Sequence, residues 1–172
     1  SRIPSGSLPP ERGALIRALL AWQSGEVDAA AREAELAAAN GDGLATTLRA
    51  DALLAQAKRP LALRELRGSP SGCARAYRLL IDGAVRDATQ AFEAARAAEP
   101  TCVARTLGRN GFGFHPPAEV AREFATSIAR WPDTEDRLLA VRVRHRAGDD
   151  AAPLIAGVLA DGAESIVALE LA

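Results

Sequence analysis

The stretch that most limits what this chain can become runs from Gly83 to Pro100. A glycine turn there opens onto a run in which Ala88 and Ala95, seven residues apart, lie on a different face from polar Arg86, Asp87 and Glu93. Phe92 is the one large apolar side chain between the two alanines. Small residues at that interval let a neighbouring backbone come close, and Phe92 fills the space beside them. Pro100 has no amide hydrogen and stops the helix. A helix of this kind is made to stack against another.

Nothing elsewhere in the chain competes with helix. β-Branched runs are absent, and alanine, leucine, arginine and glutamate dominate, so helix propensity is high almost throughout. At 172 residues the chain suits one domain with a real core. Its 21 basic and 22 acidic residues nearly cancel, which removes the global electrostatic case for nucleic acid or an anionic membrane as partner. Lys58 is the sole lysine; so strong a preference for arginine, with so much alanine, reads as the codon bias of a GC-rich bacterial genome. No apolar run is long enough for a membrane span, and residues 1–10 carry no apolar signal core. The expected compartment is the cytoplasm, or the periplasm if a leader has been removed.

Taken in order, residues 1–10 form a flexible Ser/Gly/Pro lead. Helices are expected over 11–24, with Leu15, Leu19 and Trp22 at helical spacing, and over 26–40, with Gly25 between them. Ala30, Ala34 and Ala37 echo Ala88, Phe92 and Ala95 at an offset of 58. Gly41-Asp42-Gly43 closes that pair and a third helix covers 44–57. Lys58-Arg59-Pro60 then turns the chain into a short, poorly amphipathic segment, 61–67. Gly68 to Gly72 is a tight loop, followed by helices over 73–82, through the 83–100 stretch, and over 101–109. Asn110 to Pro117 is an irregular loop. Further helices are expected over 118–130, 134–147 and 151–160. Turn glycines Gly25, Gly83 and Gly148 are separated by 58 and 65 residues, each about twice a unit of roughly 30.

Ala88, Phe92, Ala95 and Pro100, preceded by Gly83, resemble the second half of a tetratricopeptide repeat, A-x3-F followed by proline. Phe124 and Pro132 repeat the eight-residue interval of Phe92 and Pro100. The family's first-helix pattern, W-x2-L-G-x2-Y, falls on Gly72, Arg75, Ala76 and Leu79, where only the small residue is kept. The resemblance implies an all-α fold, a right-handed α-α superhelix of about five degenerate hairpins over 11–172. A start without methionine and the uncapped apolar pattern from Ile166 to Ala172 are what a fragment of a longer protein is expected to show. The resemblance also implies a curved surface that docks a protein or peptide partner, or another domain of the same polypeptide. Family members that grip a chaperone carboxyl terminus use Lys and Asn where this chain has Leu15, Leu19, Cys73 and Tyr77, so that clamp is missing.

On this alignment the concave face would carry Leu15, Leu19, Trp22, Tyr77, Leu80 and Ile81, together with Arg142, His145 and Arg146. The apolar six read equally as the packed core of a tightly coiled fold. Arg142, His145 and Arg146 share a face by i, i+3, i+4 spacing. They are either a patch for a phosphorylated, acidic or nucleic-acid ligand, as in a sensor segment of a signalling or transcription protein, or a solvated helix face beside Asp149 and Asp150. His115 and His145 stand in no nucleophile motif, and Gly108-x-x-Gly111-x-Gly113 lacks the strand and the Lys-Ser/Thr of a phosphate loop. No catalytic residue, cofactor or metal site is therefore assigned. Cys73 and Cys102, near the starts of successive first helices, are either small buried residues or a pair in contact.

Overall fold

The structure, a computed structural model, describes residues 9–108 and 118–128 together with positions 140, 141, 144, 152, 153, 155 and 156. Among these every regular element is helical: α1 Pro10–Gln23, α2 Val27–Ala38, α3 Gly43–Ala55, α4 Arg59–Gly68, α5 Gly72–Ile81, α6 Val85–Ala98, α7 Pro100–Gly108 and α8 Ala118–Ile128. None of them is long and apolar enough to cross a membrane. Residues 1–8, the loop 110–117, and most of the expected pair 134–147 and 151–160, with Pro132 and the Gly148 turn, lie outside the described residues.

Glycine and proline set the punctuation. Gly25 and Gly83 sit in the left-handed region, at φ 76° and 80°. Each ends its helix with the same pair of hydrogen bonds. Gly25 N–H donates to the Trp22 carbonyl at 3.1 Å and Glu26 N–H to Ala21 at 2.8 Å; Gly83 and Ala84 repeat this on Leu80 and Leu79, both at 3.0 Å. Two orphan carbonyls of the last helical turn are satisfied each time. A third copy of the turn follows α3, where Ala57 adopts φ 58°, its N–H on Leu54 and that of Lys58 on Leu53. This doubly bonded left-handed turn thus recurs at 25, 57 and 83, and the middle one carries a side chain; Gly41, at φ 78°, makes only the first of the two bonds, to Ala38 at 2.9 Å.

That residue gives a measurable cost. Ala57 is exposed, so Ala57→Gly should raise stability by about 0.5–1 kcal/mol by relieving the left-handed strain, net of glycine's extra chain entropy. Gly83→Ala should cost about 1 kcal/mol for the mirror reason. A Cβ at Gly83 would meet nothing within 4 Å, so backbone strain is its whole effect. Urea unfolding of the two variants checks both signs.

Prolines are placed where their missing N–H does no harm. The Arg59-Pro60 segment is part of α4, with Pro60 in the first helical turn, and Pro100 opens α7 directly after α6 has ended at Ala98. A first-turn N–H has no intrahelical acceptor, so proline there starts helices as readily as it stops them. The expected turn at Arg59-Pro60 therefore lies slightly earlier, at Ala57-Lys58.

α1 packs on α2, α2 on α3, and α5 on α6, and α3 lies at the centre, against α1, α2, α4, α5 and α7. Eight of its thirteen residues are buried, from Ala45 to Leu53. The largest fully buried side chains are Tyr77, Phe92 and Phe124, the last two with ring centroids 6.0 Å apart and planes tilted by 56°. Phe92 therefore ties α6 to α8, as a tilted aromatic pair does in a core. A polar joint holds three helix ends together. Ser71, the N-cap of α5, accepts from Ala74 N–H at 3.1 Å and donates to Glu99 Oε2 at 2.5 Å, while Gly72 N–H donates to Glu99 Oε1 at 2.8 Å. The carboxylate thus sits at the positive end of α5. At Gly43 the start of α3 presses against this joint, where a Cβ would stand 2.2 Å from Ser71 Oγ.

Candidate functional site

The doubly bonded left-handed turns at 25, 57 and 83 put the helices that precede them in register. Leu15 and Leu19 of α1 then correspond to Thr47 and Asp51 of α3 and to Cys73 and Tyr77 of α5. In α3 and α5 these positions do not line an open groove. Thr47, Asp51, Cys73 and Tyr77 are each 0% exposed. They bond across the helices: the Tyr77 hydroxyl donates to Asp51 Oδ1, and Thr47 Oγ1 pairs with Thr106 Oγ1 of α7 at 2.8 Å. Thr106 Oγ1 lies 3.6 Å from Cys73 Sγ and 3.8 Å from Cys102 Sγ. Cys102, Val103, Thr106 and Leu107, all buried on α7, face this row.

The would-be inner lining is therefore core where α7 crosses it. Leu80 and Ile81, 1% and 5% exposed, belong to the same cluster. Of the six apolar residues read as a possible docking face, Tyr77, Leu80 and Ile81 pack as the alternative reading had it. Cys73 and Cys102 are buried and reduced. Hydrogen bonding to Cys102, followed by burial, pushes the Cys73 thiol well above the ordinary thiol range, so it stays neutral.

Leu15, Leu19 and Trp22 differ. They are half-buried, packed against Ala14, Ala18, Ala34 and Leu48 with no α7 across them. Trp22 Nε1 is shielded from water and has no hydrogen-bond partner. The next face of α1 is open: Ile16 is 48% and Leu20 57% exposed. Their counterparts in α3 are Leu48 and Ala52, both fully buried, with Leu48 set between Ala18 of α1 and Ala34 of α2. In α5 the counterpart of Ile16 is Ala74, also buried. The surface by which α3 seats on the preceding hairpin is thus exposed on α1.

A concavity of about 330 Å³ lies between α2, α3 and α4, walled by Ala38, Gly41, Thr46, Gly68 and Pro70. Arg49 crosses its floor between Glu35 at 3.1 Å and Glu65 at 3.3 Å, so the charges there satisfy one another. Among the described residues no group of three or more His, Cys, Asp or Glu could hold a metal ion.

Arg142, His145 and Arg146, and also His115, lie outside the described residues. Arg144 of the same run donates from Nη2 to Thr126 Oγ1 of α8 at 3.2 Å. Reading the chain by its glycines alone missed Thr47, Asp51 and Thr106. The signal was there, as polar residues inside otherwise apolar helical runs, but the register that aligns them is marked by Ala57 and not by a glycine. A scan of protein-family models and searches of curated proteins and of solved structures found no match.

Proposed function

We infer that the chain is a non-catalytic interaction module of tetratricopeptide-like helical hairpins, stacked in a right-handed superhelix, which docks a helical partner on α1. The observation that carries this reading is the exposure of Ile16 and Leu20 at positions where α3 buries Leu48 and Ala52. Large apolar side chains left in water beside one another mark a face for a partner. α1 leaves Ile16 and Leu20 so, among exposed Arg12, Arg17 and Gln23, while it buries Ala14 and Ala18 on its other side. The complement is described by the chain itself: where Leu48 is seated, the receiving surface is a pair of antiparallel helices offering alanines. A partner that offers such a pair, or one amphipathic helix with a small-residue face, would remove Ile16 and Leu20 from water without rearranging α1. Because the surface is already formed, little ordering entropy opposes docking.

The test uses a photo-crosslinking residue in place of Leu20, with exposed Gln90 on α6 as the control site. Position 20 is expected to give a discrete protein adduct, absent at position 90 and lost in Ile16→Glu, whose helix content should match the parent because the side chain is already half in water. The same adducts from both sites, or adducts indifferent to Ile16→Glu, would place the docking surface elsewhere.

A further inference from the structure

Cys73 and Cys102 come from different helices, 29 residues apart in sequence, yet both sulfurs lie against one hydroxyl, Thr106 Oγ1, at 3.6 and 3.8 Å, and Cys102 is the chief cause of the raised Cys73 thiol pKa. Thr106 does not need either sulfur as a partner, since its hydroxyl already pairs with Thr47 at 2.8 Å. The pair also sits at a mechanically significant point, because α5 and α7 are the helices that close over α3.

We propose that Cys73 and Cys102 form a reversible dithiol–disulfide site, which on oxidation by a small-molecule disulfide locks α7 covalently against α5. Burial sets the order of steps. Cys73 is 0% exposed and Cys102 7%, so Cys102, the less enclosed residue, takes the first step when α7 opens locally. As thiolate, Cys102 attacks one sulfur of oxidised glutathione, forming a mixed disulfide and releasing one glutathione thiol. Cys73 then gives up its proton and attacks Cys102 Sγ, forming the intramolecular bond and releasing the second glutathione. Two electrons and two protons pass from the protein dithiol to the glutathione disulfide. The neutral state of the Cys73 thiol makes the second step slow near neutrality and faster as pH rises. The bond would close a loop of roughly 30 residues containing all of α6, which restricts the unfolded chain.

The test is made on the unmodified chain. The folded protein is incubated with oxidised glutathione, quenched with acid, then unfolded and alkylated before digestion. The expected product is a monomer with a Cys73–Cys102 linked peptide, reversed by dithiothreitol, with Tm raised by several degrees and a formation rate that climbs with pH. Cys73→Ala should stop at a glutathione adduct on Cys102, and Cys102→Ala should leave Cys73 unmodified. The proposal is overturned if both thiols alkylate freely after oxidation, if the linkage joins two chains, or if the products end as separate glutathione adducts. It is equally overturned if the rate follows the unfolded population when sub-denaturing urea is added, since the bond would then belong to the unfolded chain.

Discussion

Tyr77→Ala should lower folding stability by about 3–5 kcal/mol, a large share of the roughly 5–15 kcal/mol that holds a domain of this size together. The α5 side chain is wholly buried in the main core cluster and reaches Asp51 of α3, so its loss leaves a cavity that the surrounding helices only partly fill. Its hydroxyl also donates to buried Asp51, and Tyr77→Phe isolates that part, at about 1–3 kcal/mol. Urea unfolding of the two variants gives both figures. A Tyr77→Ala protein within about 1 kcal/mol of the parent would mean that Tyr77 faces solvent and that the inner face is an open groove after all. The expected size of the effect has a practical side: binding lost in Tyr77→Ala would report unfolding, which is why Ile16 and Leu20 are the positions for testing docking.

The second large effect is expected at Phe92. Truncation to alanine should cost about 3–5 kcal/mol, and Phe92→Leu about 1–1.5 kcal/mol, since leucine keeps most of the volume and loses the ring contact with Phe124. Position also matters here. Phe92 is the contact through which α6 holds α8, so Phe92→Ala should free α8 from the rest. Hydrogen exchange would then show Ala118–Ile128 losing protection before α3 does. Equal loss of protection in α3 and α8 would contradict that picture and make the two helices one cooperative unit.

Both substitutions fall on residues that stood out in the sequence, for different reasons. Phe92 was legible as core because its neighbours left no other role: one large apolar side chain on a helix of alanines, ended by a proline, has to be where that helix is covered. Tyr77 was not, because apolar spacing along 73–82 is the same whether the helix faces a groove or another helix. Helix 101–109 gave no sign that it crosses α3. The left-handed turn at Ala57 hid the register that would have set Thr47 and Asp51 beside Cys73 and Tyr77.

What this sequence determined by itself is therefore local: that the chain is helical, that Gly25 and Gly83 turn it, and that helices end before Pro100. These follow from backbone dihedrals and amide hydrogens within a few residues, so they are present in the sequence whatever the chain packs against. Only the tertiary structure decided which apolar faces are interior. Burial is a relation between segments distant in the chain, and α7 lying across α3 and α5 turned an expected surface into core while α1 kept a bare side.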